Sequence, residues 1–498
     1  MNVNPITRLD YPDLDVIRVE DTYYMVSTTM HFMPGCEILQ SFDLVHWEHV
    51  TYVYETLDHT DAQQLKSGQN IYGQGMWAAS LRYHEGRFYI CFVANDTRKT
   101  YLYTSEKIDG PWKKQLIEGF YHDASLLFDE DGRNYIVYGN DEIWITELNE
   151  DLTAPKKDGL HRLLVSDHKN PELGYEGSHI QKINGYYYIF LVHSLRDRWM
   201  RTEACFYSDS LEGEFTGGDV LCDDRGYCGQ GVAQGGIVDT PDGKWYAMLF
   251  QDSGAVGRIP ILLPVTWKDH FPFFGQNGHV PEEIEVHSTR PGYIYQPLVG
   301  SDDFCNGLLP RWQFNHDPDP RYYHLDALQG TYTITTREVC TELTQAVNTL
   351  TQRMSYPSCA AEVTVDASAL KEGDVAGLCA LQSCYAAVGI TKHHGKYEVL
   401  MLDKKEDGIL DMTEGTVVES HQMDFRLEAD FCNMKDEARC YYRVNKGDWL
   451  PIGTVHKLYF KLDHFTGCRF GLFCYAAEET GGSACFRDFK YYDVDEIS

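Results

Sequence analysis

Five segments of this chain repeat one pattern, and that repetition limits its fold more than any other feature. They read VEDTYYMVSTT (19–29), HEGRFYICFVA (84–94), DEDGRNYIVYG (129–139), KINGYYYIFLV (182–192) and TPDGKWYAMLF (240–250). Each is a polar turn, usually with glycine, followed by an aromatic and β-branched strand. The matching residues are Tyr24, Tyr89, Tyr135, Tyr188 and Tyr246, spaced by 65, 46, 53 and 58 residues. A second pattern follows several of these strands: SFDLVHW (41–47), TSEKIDGPW (104–112) and YSDSLEGEF (207–215). There a strand ends in serine, an acidic turn follows, and an aromatic opens the next strand. A unit of roughly 50 to 60 residues holds four antiparallel strands, the size of a propeller blade. Five units predict an all-β fold, a five-bladed β-propeller over residues 1–287.

The repeat also nominates a site. Asp13 lies 11 residues before Tyr24. Trp77, Asp123, Glu176 and Gln234 each lie 12 before their own marker tyrosine. Equal offsets in a radial repeat mean equivalent places in the blades. If these places lie on or just before the innermost strands, the five side chains converge on the central channel. Three of them are carboxylates, and like charges at short range are costly without a function to hold them there.

Residues 288–302 read as a linker, within the Pro-, Gly- and charge-rich stretch PEEIEVHSTRPGYIYQPLVGSD (281–302). From 303 to 498 the chain alternates in short strands such as YTITT, AAEVTVDA, YEVLMLD, FRLEADF, ARCYYRV and FKYYDVD, with turns at KHHGK and VNKGD. This predicts a second, β-sandwich domain of jelly-roll type.

Two carboxylates flanking a scissile bond are the minimum for glycoside hydrolysis, one protonated and one ionised. A third beside the acid would raise its pKa and orient it. Trp77 would offer a stacking wall to a sugar ring, and Gln234 a hydrogen bond to a hydroxyl or a water. Other chemistries find no motif: there is no HExxH, GxSxG or Walker loop. The 20 histidines and 15 cysteines lack metal-ligand spacing, so neither a metal nor another required cofactor is expected. A net charge of −32 argues against nucleic acid and anionic membrane partners. No apolar run is long enough to span a membrane, no secretory leader is legible, and unpaired cysteines suit a reducing compartment. Cytoplasmic placement is the expectation.

Several stretches resemble glycoside hydrolase family 43: NPITRLDYPDLDVIRVEDTYYMVSTTMHFMPGCEILQSFDLVHW, YHDASLLFDEDGRNYIVYG, GYEGSHIQKINGYYYIF and GGIVDTPDGKWYAMLFQDSGAVGRIPILLPVTW. LLPRWQFNHDPDPRYYHL and TLTQRMSYPSCAAEV resemble the β-sandwich of its xylosidase-like members. The resemblance implies a five-bladed propeller and hydrolysis with inversion. It implies that Asp13 in YPD is the general base, Asp123 in YHDAS tunes the acid, and Glu176 in YEGSH is the general acid. It further implies that Arg258 in VGRIP contacts substrate hydroxyls and that Phe32 in MHFMPG stands at the pocket wall. Two departures are visible. Leu14 follows Asp13 where members often have proline, with Asp15 next. Gln234 stands where many members place a histidine near the axis, so a Ca²⁺ ion there is not supported by this position. The sandwich is expected to cover one edge of the pocket, with Phe465 a candidate for the covering loop. Members often associate, so a homo-oligomer is compatible with the resemblance.

The expected activity is release of terminal β-D-xylosyl or α-L-arabinofuranosyl units from plant-derived oligosaccharides. The rivals are a retaining propeller hydrolase acting on fructans and a catalytically inactive sugar-binding propeller.

Overall fold

The computed structural model describes residues 2–461 and 464–493; the last two residues of FKYYDVD, 494 and 495, lie outside them. Five four-stranded antiparallel sheets come first. Their innermost strands are Asp15–Val19, Met76–His84, Ser125–Phe128, Glu176–Ile183 and Val232–Asp239. Each lies against the next, and the fifth lies against the first, which closes a five-bladed propeller. An ion pair between Arg18 and Asp239 crosses that closure, and Asn2–Val3 pairs with Glu283–Ile284.

The repeated strands are apolar on both faces because each sheet is packed between two others. In Thr22–Val26, Tyr23 and Met25 face the fifth blade with Tyr246 and Leu262. Tyr24 and Val26, pointing the other way, pack with Leu81 and Ile90 of the second. Burial of side chains this large contributes about 1.5–3 kcal/mol each. A two-sided core of this kind needs aromatic and β-branched residues at consecutive positions, which is the repeat seen in the sequence.

A β-sandwich follows. One sheet runs Leu410–Met412, Lys396–Lys404, Tyr385–His393, Val375–Leu381, Arg469–Tyr475, Leu350–Arg353, Gln313–Asn315 and finally Phe32–Met33. The other has seven strands, with Ser358–Asp366 and Ser483–Asp493 near its centre. Their inner faces meet in a core that includes Val363, Val388, Phe425 and Leu472. The strand Tyr385–His393, YAAVGITKH, escaped the sequence reading because its small residues carry little strand signal. Residues 288–302 form no regular strand, yet they are tied to the first blade: Glu48 accepts from the backbone N–H of Gln296, and Thr289 donates its N–H to Phe42.

Phe32–Met33 belongs to the propeller by sequence and to the sandwich by pairing, since Met33 and Phe32 oppose Phe314 and Asn315. Behind this seam Arg353 makes a buried ion pair with Glu37 at 2.8 Å, and its Nε donates to the Asp10 carbonyl at 2.9 Å. Asp10 in turn accepts two backbone N–H groups, from Arg258 and from Gly467, each at 2.7 Å. Arg353→Lys keeps the charge but loses the fork that serves both partners. It is expected to lower unfolding free energy by roughly 1–2 kcal/mol in a denaturant titration; an unchanged midpoint would show that the second contact is energetically idle. No helix among the described residues is long and apolar enough to cross a membrane.

Candidate active site

The pairing register shows how the blades deliver their functional side chains. The marker tyrosines Tyr24, Tyr89, Tyr135, Tyr188 and Tyr246 pair with Ile17, Arg82, Leu127, Gln181 and Val238 on the inner strands. Four residues before these partners stand Asp13, Ala78, Asp123, Gly177 and Gln234. The sequence offsets therefore align Asp13, Asp123 and Gln234 correctly but slip by one residue at Trp77 and Glu176. The cause is the length of the hairpin: the marker tyrosine follows its partner by seven residues in the first, second and fourth blades and by eight in the third and fifth. Bulges between Met76 and Ala79, Glu176 and His179, and Ala233 and Gly236 re-aim side chains in three of the blades as well, and an offset counted along the sequence registers neither effect.

At the shared position the backbone turns sharply into the inner strand. Asp13, Asp123, Gly177 and Gln234 all have positive φ, at 51°, 48°, 66° and 64°. Three of these are not glycine, a local strain of about 1 kcal/mol each that aspartate tolerates better than most residues. The turn leaves Asp13 and Asp123 pointing across the axis.

Asp13 is held at both oxygens. Arg258 Nη1 donates to Oδ1 at 2.6 Å, and the Thr28 hydroxyl donates to Oδ2 at 2.7 Å. Arg258 is itself fixed by Asp252, which it meets through Nε at 3.1 Å, and by the rings of Phe465 and Phe250 at 4.3 and 4.7 Å. The neighbouring Asp15 is engaged elsewhere: Arg82 donates to it at 2.7 Å and Leu81 N–H at 2.8 Å, while His179 lies at 3.1 Å. Despite its burial, these partners hold its carboxyl down at about 2.

Asp123 and Glu176 form the opposite wall. Gly177 N–H donates to Asp123 Oδ2 at 3.1 Å, and the Asn140 amide donates to Glu176 Oε2 at 2.8 Å. Between them sits His122, whose Nε2 is 3.5 Å from each of those two oxygens. The Glu176 side chain is the most open of the three carboxylates, 18% exposed against 7% for Asp123 and 4% for Asp13. Glu176 Oε1 has no hydrogen-bond partner among the described residues.

The electrostatics depart from the sequence expectation. Asp123 was expected to raise the pKa of Glu176. Instead burial, and then the charges of Glu176 and Asp13, push Asp123 itself up to about 6 against the pull of His122. Glu176 feels the same burial, but His122, Arg201 and Arg258 hold its carboxyl below the usual range. Burial works against a charge on His122, yet Asp123 and Glu176 lift the imidazole to about 9.

The remaining expected residues divide. Trp77 lies at the site, edge-on to His122 at 5.9 Å and to Phe465 at 5.2 Å. Phe465 is thus the point at which the sandwich enters the site. Phe32 does not stand at the pocket wall. It is 1% exposed, with the Arg469 guanidinium 3.5 Å above its ring and His31 at 4.2 Å. A ring covered in this way cannot offer that face to a sugar; pairing of Phe32 with the sandwich draws it into the domain seam. Gln234 lines a small axial cavity and packs on Gly177, where a Cβ would come within 2.8 Å of its Cγ.

That cavity also corrects the reading of the axis, because a histidine, His179, does line it. Its volume is about 10 Å³, room for about one water. Asp13, Asp15 and Asp123, which border it, already answer Arg258, Thr28, Arg82, His179 and Gly177. Calcium takes six to eight oxygens at 2.3–2.6 Å, and this donor set does not fit it. His122, Asp123 and Glu176 also bring one donor atom each within 4.8 Å of one another. The N–H groups of Asn140 and Gly177 already occupy the same two oxygens, and the imidazole, whose pKa these carboxylates raise, carries a proton where a metal would need a lone pair.

His122, Asn140, Thr28 and Asp252 were not legible as site residues. His122 adjoins Asp123, and Thr28 and Asn140 close the strands Thr22–Val26 and Asn134–Asn140 or follow just after. Asp252 closes the strand Trp245–Asp252, so attention to the ends of the second strands, as well as the first, would have found three of the four.

The model of the glycosyl hydrolases family 43 matches residues 3–272, and that of the β-xylosidase C-terminal concanavalin A-like domain matches residues 301–492. A β-xylosidase of Formosa agariphila is 26% identical over 99% of this chain and 89% of its own length. The solved structure of a bifunctional GH43-CE protein of Bacteroides eggerthii is 42% identical, with a TM-score of 0.91 over 100% of this chain. The chain spans 64% of that protein's length. A GH43 glycoside hydrolase engineered to display both endo-xylanase and exo-arabinofuranosidase activity is 27% identical, with a TM-score of 0.88 and 99% of each chain covered.

Proposed function

The chain belongs to family 43 of the glycosyl hydrolases, and from that premise we propose that it is an inverting exo-hydrolase releasing terminal β-D-xylosyl or α-L-arabinofuranosyl units from plant-derived oligosaccharides. The observation that carries the reading is the division of the site into two walls. Asp13 is held in one orientation by Arg258 and Thr28, one on each oxygen. Glu176, more open and with Oε1 free, faces the space where a leaving oxygen would lie. Water attacks the anomeric carbon from the Asp13 side, Asp13 takes its proton, and Glu176 protonates the departing oxygen, which inverts the configuration. Asp123 holds Gly177 and, through it, the start of the strand that carries Glu176. Arg258 and Trp77 are the substrate contacts in this reading, with Phe465 narrowing the mouth so that one terminal sugar enters.

The relatives' printed activities, β-xylosidase for one and exo-arabinofuranosidase among those of another, support the choice of sugars. All 15 cysteines are free, which suits the proposed cytoplasmic location. The test is hydrolysis of 4-nitrophenyl β-D-xylopyranoside and 4-nitrophenyl α-L-arabinofuranoside by wild type and by Glu176→Ala. Wild type should cleave at least one. The variant should lose roughly 10²-fold in kcat, less than a general acid can supply because nitrophenolate leaves with little help. Cleavage of neither glycoside by wild type would overturn the substrate class.

A further inference from the structure

Four carboxylates and two guanidinium groups meet at this site, and their charges do not pair evenly. Asp13 is matched by Arg258, and Asp252 by Arg258 and Arg201. Asp123 and Glu176 are left facing a single imidazole, that of His122. Two adjoining carboxylates without a proton between them would repel strongly. One proton therefore belongs to the group of three, and the geometry decides where it rests. His122 Nε2 stands 3.5 Å from both Asp123 Oδ2 and Glu176 Oε2, is buried, and makes no well-formed hydrogen bond. The N–H donors of Gly177 and Asn140 on those same oxygens stabilise both carboxylates as anions. Before substrate binds the proton thus sits on the imidazole, and Glu176 has none to give.

We propose that His122 is a positioning residue that stores the leaving-group proton and hands it to Glu176 when a glycoside fills the pocket. This rests on the reading of Glu176 as the proton donor. Substrate displaces water and leaves the group of three in a drier setting. There the arrangement with one charge, Asp123 alone ionised, is favoured over the arrangement with three. The His122 Nε2–H bond breaks, its electron pair stays on nitrogen, and the proton passes to Glu176 Oε2. The 3.5 Å gap must close by about 0.5 Å for this, a tightening common when active sites fill. A half-turn of the carboxyl group then presents the proton to the glycosidic oxygen, which takes the electrons of the breaking C–O bond. Water supplies the new bond to carbon and leaves its proton on Asp13; solvent exchange returns that proton and recharges His122. One water is consumed, and no oxidant or other reactant is required. The charged groups bearing on the imidazole are Asp13, Asp123 and Glu176, with Arg201 and Arg258 beyond Glu176.

The test compares wild type, His122→Asn and His122→Gln across pH on two substrates, a 4-nitrophenyl glycoside and the corresponding unactivated disaccharide. Loss of the store should matter where the leaving oxygen needs its proton. Both variants are expected to lose roughly 30- to 100-fold in kcat on the disaccharide and under about 5-fold on the nitrophenyl glycoside, with KM within about 3-fold. The alkaline limb of kcat/KM on the disaccharide should move down by roughly one to two pH units, because the last proton of the group is then held by carboxylates alone. Equal losses on both substrates, or an unmoved limb, would overturn the proposal. A readout that needs no substrate separates it from the hydrolytic reading: histidine-detected NMR titration of the full chain, with His122 assigned by its absence in His122→Asn. The imidazole should titrate near 9 in wild type, and lower in Glu176→Gln. A His122 that titrates at the ordinary value in both sinks the inference even if hydrolysis is established.

Discussion

Asp13→Asn lowers kcat/KM roughly 10³- to 10⁴-fold on any glycoside the enzyme accepts, with KM little changed. Asparagine matches aspartate in size and tolerates the same left-handed backbone, so the φ of 51° at this position is not a reason for the variant to misfold. The Thr28 hydroxyl keeps an acceptor or gains a donor, and Arg258 keeps Asp252. What disappears is the basic oxygen that receives the proton of the attacking water. Because the loss falls on that one proton, a nucleophile with no proton to shed should escape it. Added azide is therefore expected to restore turnover of a nitrophenyl glycoside by Asp13→Asn. No restoration, together with an intact unfolding transition, would mean that Asp13 serves to hold Arg258 and that the base lies elsewhere.

The second large effect is on stability and falls at Asp10. This residue accepts the backbone N–H of Arg258 with one oxygen and that of Gly467 with the other, so one carboxylate ties the catalytic arginine to the loop bearing Phe465. Asp10→Ala leaves two buried donors unanswered, a cost of roughly 2–6 kcal/mol, and should lower activity as both anchors loosen. Asp10→Asn is the more discriminating change. Burial pushes the Asp10 carboxyl up to about 6 from 3.8, against the pull of its two backbone donors. Its folded-state value is raised, so the stability it contributes is complete below 3.8 and is lost as pH rises through 6. The difference of 2.2 pH units amounts to about 3 kcal/mol. Asparagine does not titrate. Its deficit relative to wild type should therefore be largest near pH 3.5 and shrink by about 3 kcal/mol at pH 7.5, as read from denaturant titrations at the two values. A deficit that grows with pH would show that Asp10 is stabilised as an anion.

The sequence exposed what repeats and concealed what bends. Five blades were countable because every blade must bury aromatic side chains on both faces of its second strand, as Tyr23 and Tyr24 do. Asp13, Asp123 and Gln234 were recoverable by counting because their offsets match the lengths of their own hairpins. Glu176 and Trp77 were found as residues but misplaced by one position, since their hairpins are one residue shorter than those of the third and fifth blades. Phe32 was misassigned for a different reason: its surroundings come from a strand nearly 300 residues away, and no local pattern reveals that pairing. The protonation of Asp123, His122 and Glu176 was likewise out of reach, because it depends on distances among three side chains and two amide donors.

The exchange of Phe32–Met33 into the far sheet has a practical consequence for protein engineering. The chain looks like two interchangeable parts, and a chimera would naturally be cut near residue 300. A propeller severed there would carry a two-residue strand with no sheet to join and a buried Glu37 that keeps His49 but loses Arg353. The sandwich, for its part, would expose the open edge Gln313–Asn315, the kind of edge that invites aggregation. A graft that respects the physics would move residues 30–37 together with the sandwich, or redesign both sides of the seam at once.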